Sequence, residues 1–369
     1  MDKILLTLCC ALVACSSDDS PASVDAAPGN DVVSPPMDSA ITIDAADTSV
    51  CPSALPVDTD DPAIRDQCTK WVYLAGGDHF RVIVSSDEGA TWDSFSIHDI
   101  PGDDYVNNLR VAQGTISVIG LPGLWTSSDR GKKFGQVAAV SSNGFDSYGG
   151  QINYGAGMSI LTDNQGTYTS KDGSTWVAQT PFANMSKPNG FGGHYHGTAY
   201  GNQTYVVFQD GGTFRTYDGK AWSEGVLPNK SDTSGVAFGN GVFVAVGSKF
   251  TMTSADGKTW SNERTTDASN AVFDNMGTGV VFDGKQFLAY TQSAPHVGYS
   301  SPDGLVWTKF KPSHNIDAVA CAEGRFFGTG EGQLLMSTDG TTWKGVHALT
   351  AQETFNINGP RVAMGRVLK

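Results

Sequence analysis

From Trp71 onward the chain alternates apolar and polar residues in short runs, and most runs end at a glycine or asparagine turn. The stretch "GVAFGNGVFVAVGSKFTMTSADGKTW" (235–260) shows the unit. A strand is followed by a Gly/Asn turn, a second strand, a loop, a third strand, and an acidic turn that ends in tryptophan and leads into a fourth strand. A period of two predicts β-strands, because successive side chains point to opposite faces of a sheet. "AVACAEGRFFGTGEGQLLMSTDGTTW" (318–343) repeats the unit, and "GVVFDGKQFLAYTQSAPHVGYSSPDGLVW" (279–307) repeats it with a longer loop. No long stretch has the period of an amphipathic helix.

The acidic turn recurs seven times: "SSDEGATW" (85–92), "SSDRGKKF" (127–134), "TSKDGSTW" (169–176), "TYDGKAW" (216–222), "TSADGKTW" (253–260), "SSPDGLVW" (300–307) and "MSTDGTTW" (336–343). Its aspartates are Asp87, Asp129, Asp172, Asp218, Asp256, Asp303 and Asp339, with a mean spacing of 42 residues. That spacing is the length of one four-stranded propeller blade. The expected fold is therefore all-β, a seven-bladed β-propeller over residues 62–369. In such a turn the aspartate accepts hydrogen bonds from nearby N–H groups, and the glycine supplies backbone angles closed to other residues. The tryptophan is expected to pack over its own hairpin. These aspartates then read as scaffold rather than as catalytic acids.

The turns resemble the Asp-box, or bacterial-neuraminidase, repeat, whose pattern is Ser-x-Asp-x-Gly-x-Thr-Trp. "SSDEGATW" matches in full, and most other copies place the glycine directly after the aspartate. The second copy has Phe134 for tryptophan, and the fourth has Tyr217 directly before its aspartate. The resemblance implies a sialidase-like superfamily propeller, which includes glycoside hydrolases. Sialidases resemble one another in a Phe-Arg-Ile-Pro motif, an arginine triad, a Tyr/Glu pair and an acid aspartate, on six blades. Here the nearest motif is Phe80-Arg81-Val82-Ile83, without proline, and of nine arginines only Arg110 is well placed. A binding module for a glycan or protein is the leading expectation. A glycoside hydrolase is one alternative. A membrane-complex assembly factor, as seven-bladed Asp-box proteins of photosynthetic cells are, is the other.

Composition adds an address. "MDKILLTLCCALVAC" places an apolar run, too short for a stable membrane anchor, before Leu12-Val13-Ala14-Cys15. This resembles a bacterial lipobox, so residues 1–14 are expected to be a lipoprotein signal and Cys15 to carry the lipid. Residues 15–61 are rich in Ser, Ala, Pro and Asp, which predicts a disordered tether. The expected location is the cell envelope, lipid-anchored, at the outer membrane. The net charge is −14, but Cys15 to Lys70 holds eleven aspartates against Arg65 and Lys70, which leaves −5 for the remainder. The acidity belongs mostly to the tether. No basic stripe suggests nucleic acid. An exported protein meets an oxidising compartment, so Cys51 and Cys68 are expected to pair, whereas Cys321 sits in an apolar strand pattern.

The first unit lacks its first strand. "TFNIN" (354–358) is the best candidate to supply it, which leaves Arg361 to Leu368 as a surplus strand. The sequence does not decide which of the two pairs with Trp71 to Gly76. A closed ring of this kind is expected to be monomeric.

A propeller places the connections into first strands, and those joining second to third strands, on one face. His194, His196 and His314 fall in the former, and His79 and His296 in the latter. Along the first strands, Gly197, Gly235, Gly279 and Ala318 align with Asn108 and Gln151. Ala199, Ala237, Val281 and Ala320 align with Arg110 and Asn153. Buried polar groups are costly unless partnered. Asn108, Arg110, Gln151, Asn153, His194 and His196 are thus the candidate ligand-binding residues, and a water-filled channel is the competing use of the same positions. His194-x-His196 is too small a set for a metal without a third ligand. No metal or cofactor is expected.

Overall fold

The computed structural model describes residues 66, 68–97, 105–120, 123–137, 150–162, 167–179, 195–353, 355 and 361–368. The signal, Cys15, the tether, Cys51, His194 and all of "TFNIN" except Phe355 lie outside them.

Seven separate antiparallel sheets follow one another along the chain. Blade 2 shows the order, inner to outer: Val106–Ala112, Thr115–Gly120, Gly123–Ser127 and Gly135–Gln136. The innermost strands of blades 1 to 7 are Arg361–Leu368, Val106–Ala112, Gln151–Gly155, Tyr195–Gly201, Thr233–Gly239, Val280–Phe282 and Ala318–Ala322. Each touches the next, and the seventh touches the first. The chain is therefore a seven-bladed β-propeller, and closure leaves no open inner edge. Blade 5 has three strands. Beside its third strand, Thr251–Ser254, runs an irregular segment held by a bridge between Thr251 and Arg264.

The ring closes through Arg361–Leu368, which pairs with Thr69–Gly76 over eight residues, from Arg361 opposite Gly76 to Leu368 opposite Thr69. This corrects the assignment of that place to "TFNIN". Val362, Ala363, Met364 and Val367 are all buried, an apolar load on both faces that "TFNIN" cannot offer. Arg366 secures the join. Its guanidinium contacts Glu323 of blade 7 (2.9 Å) and Asp66 (2.6 Å) and lies 4.7 Å from the Trp71 ring centre. Cys68 is buried and disulfide-bonded.

The acidic turns are built alike. In the fifth, Asp256 Oδ1 accepts from Lys258 N (2.8 Å), Thr259 N (2.7 Å) and Ser254 Oγ (3.0 Å). Ser254 Oγ in turn accepts from Gly257 N (2.8 Å). Trp260 Nε1 donates to Gly257 O (3.1 Å). The turns at Asp303 and Asp339 repeat the pattern. The tryptophan does not simply cover its own hairpin, as the sequence reading supposed. It wedges into the seam with the preceding blade: Trp260 lies 5.0 Å from Phe208 of blade 4, and Trp92 lies 5.7 Å from Phe327 of blade 7. The neighbouring blade offers a broader apolar surface than a two-stranded hairpin can. Side-chain amides add further stitches, such as Asn240 Nδ2 to Pro302 O of blade 6 (2.8 Å).

Candidate functional site

The seven aspartates all lie in turns on the lower face, together with the hairpins that join inner to second strands. Burial works against the Asp339 carboxylate. The N–H groups of Thr342 and Thr341, with Thr342 and Ser337 side chains, outweigh it and hold the carboxyl well below its ordinary value. Asp87, Asp129, Asp172, Asp218, Asp256 and Asp303 are shifted the same way. A depressed folded pKa gives stability that is present above the unfolded value and lost as pH falls through the folded one. Stability should thus hold down to about pH 4, near the ordinary Asp value, and decline steeply below it. Thermal melts between pH 6 and pH 2 check this, and Asp339→Asn should flatten part of the decline.

The opposite, upper face is where the inner strands begin. Strand register shows which residues share a layer at the axis. Gly235 pairs with Val246, Asn108 with Ile119, Gln151 with Thr162, Gly197 with Phe208 and Ala318 with Thr329. In blade 1 the turn serine Ser85 lies opposite Tyr73, as Ser254 lies opposite Phe243 in blade 5. Gly76 therefore matches Val246, and its partner Arg361 matches Gly235. The uppermost layer then reads Arg361, Asn108 and Gln151 in blades 1 to 3, against small residues in the other four. The next layer reads Ala363, Arg110, Asn153, Ala199, Ala237, Val281 and Ala320.

The polar sector is real, and it spans three consecutive blades. Asn108 Nδ2 donates to Gln151 Oε1 (2.9 Å), and both are buried. Arg361, 3% exposed, donates from Nε to Asn107 O (2.9 Å). Burial pushes its pKa down to about 10, while Tyr105 acts the other way. It remains a cation at neutral pH. Asn153 Nδ2 reaches Thr198 Oγ1 of blade 4 (3.4 Å), and Arg110 is buried one layer down. His196 occupies the bulge between Tyr195 and Gly197 and is also buried. The structure thus joins Asn108 to Gln151, places Arg361 in the same layer against the Asn107 carbonyl, and sets Asn153 and His196 toward blade 4. His314 stays apart at blade 7, where its Nδ1 lies 3.1 Å from Ser313 Oγ.

A cavity of about 20 Å³ lies beside the axis, lined by inner-strand residues of blades 1, 2, 3 and 7. That is room enough for a water. Among the described residues no group of three or more His, Cys, Asp or Glu side chains is arranged to hold a metal. Sequence reasoning missed Arg361. Arg361 to Leu368 was legible as a surplus strand, but the layer of Arg361 depends on pairing between opposite ends of the chain.

No protein-family model matches the sequence, and no curated protein matches it. Solved structures do. YCF48 from Cyanidioschyzon merolae aligns with a TM-score of 0.52 at 15% identity, covering 71% of this chain and 89% of that one. A structure described as YCF48 bound to D1 peptide aligns with a TM-score of 0.52 at 16% identity, covering 77% and 90%. At these identities the likeness is one of fold: this chain's seven-bladed β-propeller is similar in fold to YCF48.

Proposed function

We propose that the chain is an Asp-box propeller, held at the membrane by a lipid on Cys15, whose upper face binds a segment of a protein partner without catalysis. The observation that carries this reading is the asymmetry of the axial layers. Blades 4 to 7 close around glycine, alanine and valine, so the fold itself needs no polar residue there. Blades 1 to 3 nevertheless place Arg361, Asn108, Arg110, Gln151 and Asn153 at those positions, under the upper face. Arginine forks and amides suit peptide carbonyls and carboxylates. The seven turn aspartates, the most numerous acids of the repeats, are engaged in turns on the other face, away from any acid–base role beside this sector. A propeller of similar fold in complex with a peptide supports the choice of a protein over a glycan.

The test is site-specific photo-crosslinking of the full chain in cells. A crosslinker replacing exposed His79 on the upper face should capture a partner, and one replacing exposed Lys258 in a lower-face turn should not. Capture only from Lys258 would overturn the reading. Cys15→Ser should abolish fatty-acid labelling and move the protein to the soluble fraction. A variant that still partitions with membranes would reject the anchor.

A further inference from the structure

The fourth acidic turn is built differently from the other six. Strand register sets Tyr217 opposite Tyr205, as Ser254 is set opposite Phe243 in blade 5. Asp218 follows Tyr217 directly, whereas one residue separates Ser254 from Asp256. The fourth turn is therefore one residue shorter.

The shortening removes its seat on blade 3. In blades 3, 5 and 6 the residue ahead of the aspartate accepts a stitch from the preceding blade. Gln113 Nε2 donates to Lys171 O, Asn202 Nδ2 to Ala255 O (2.7 Å) and Asn240 Nδ2 to Pro302 O (2.8 Å). The fourth turn has no such residue, and the hairpin position of blade 3 that would supply the amide is Ala156. The turn glycines show the result. A Cβ on Gly89, Gly131, Gly173, Gly257, Gly304 or Gly340 would sit 2.4–2.9 Å from a side chain of the preceding blade. One on Gly219 would meet nothing within 4 Å, and the same holds for Gly157 in the blade 3 hairpin. Buried Ile160 and Val207 close the seam farther in, so the opening is a step on the lower surface. Its outer end is open as well. Trp176 belongs to the cluster shared with blade 2, so Val177, next along the strand, faces blade 4, and it is 57% exposed.

Aromatic rings line this step. Tyr200, Tyr205, Tyr217 and Trp222 form a row, with successive ring centres 4.5, 6.3 and 5.1 Å apart. The matching residues of blade 5 are Phe238, Phe243, Ser254 and Trp260. The Tyr205 hydroxyl donates to Met158 O of blade 3 (2.9 Å), which fixes the row. Trp222 and Tyr217 stack at 27° and are both half-buried, whereas Trp176, Trp260, Trp307 and Trp343 are at most 8% exposed. Exposed Asp218 accepts from Lys220 N and Ala221 N (3.0 Å each), but the serine hydroxyl that donates to the other six turn aspartates is replaced by Tyr217. Its carboxylate thus keeps acceptor capacity toward solvent.

We propose that the step at the fourth turn binds a neutral pyranose residue of a glycan, stacked on the Trp222–Tyr217 pair. The chemistry selects that class. The C–H face of a pyranose is apolar and its rim carries hydroxyls, so it covers an aromatic ring and still hydrogen-bonds at the edge. Asp218 accepts from such a hydroxyl, and exposed Lys220 donates to one. Charge favours a neutral ligand, because Asp218 and Lys220 share one turn and Arg215 lies 3.7 Å from Glu224. This site is on the lower face, away from the axial sector, and does not rest on the partner reading.

The experiment is ligand-observed NMR and calorimetry of the full chain with maltohexaose, cellohexaose and chitohexaose as neutral probes and an anionic galacturonate hexamer as control. At least one neutral probe should bind. Trp222→Ala should weaken it tenfold or more with a melting temperature within a few degrees of the parent, and Trp222→Phe should retain most of it. Trp260→Phe, in a turn seated on its neighbour, should leave binding unchanged. Binding that survives Trp222→Ala would overturn the proposal, and so would binding of the galacturonate hexamer alone. If no probe binds, or if a crosslinker at Lys220 captures a protein while no probe binds, the step is not a glycan site. Loss of glycan binding would leave crosslinking from the upper face untouched, so the two readings fail separately.

Discussion

A chain that ends before Arg361 will not give a cooperatively folded propeller. The missing segment is the inner strand of blade 1 and, among the described residues, joins blades 7 and 1 at the axis. Its buried Val362, Met364 and Val367 each stabilise by about 1.5–3 kcal/mol. Together that is of the same order as the whole stability of a typical domain, about 5–15 kcal/mol. Removal also uncovers the backbone edge of Thr69–Gly76 and strands Glu323, whose carboxylate holds Arg366. Circular dichroism and calorimetry of the truncated chain should show a broad transition or none. A peptide covering 361–369, added in trans, should partly restore it, as strand addition to an open edge does. A truncated protein that melts sharply within a few degrees of the full chain would contradict ring closure by this strand.

Gly257→Ala and Gly340→Ala should be among the most damaging small substitutions outside the apolar seams. Gly257 has φ +72° and Gly340 φ +69°, a region where a side chain costs about 1–2 kcal/mol. Each also abuts the preceding blade. A Cβ on Gly257 would sit 2.6 Å from Val206 Cγ2, and one on Gly340 would sit 2.9 Å from the Tyr290 hydroxyl. Overpacking adds about 1–3 kcal/mol. A loss of roughly 2–5 kcal/mol is expected for each in denaturant titrations. Gly219, in the deviant fourth turn, has φ +87° but open space around its Cβ. Gly219→Ala should cost only the backbone part, about 1–2 kcal/mol. Equal losses at all three positions would show that seam contact contributes nothing.

The sequence by itself determined the blade count and the anatomy of the turns, because both depend on short-range relations. Period two along a strand, a serine and an aspartate two residues apart, and N–H groups within four residues of the carboxylate are all set by neighbours in the chain. That is why Asp256 and Asp339 were legible as scaffold before any fold was known. The two polar layers, Asn108 with Gln151 and Arg110 with Asn153, were legible for the same reason, since aligned repeats expose the positions that depart from glycine, alanine and valine.

Only the tertiary structure decided what depends on contact between distant segments. Arg361 joined the layer of Asn108 through pairing with Thr69–Gly76, nearly three hundred residues away in the chain. Tryptophans such as Trp92 and Trp260 turned out to be wedges between blades, because the apolar surface that best covers an indole belongs to the preceding sheet and not to its own hairpin. Tyr217 was visible as an irregular letter in the fourth repeat. That Trp222 stacks on it, half exposed, instead of wedging against the preceding blade followed only from the packing of the closed ring.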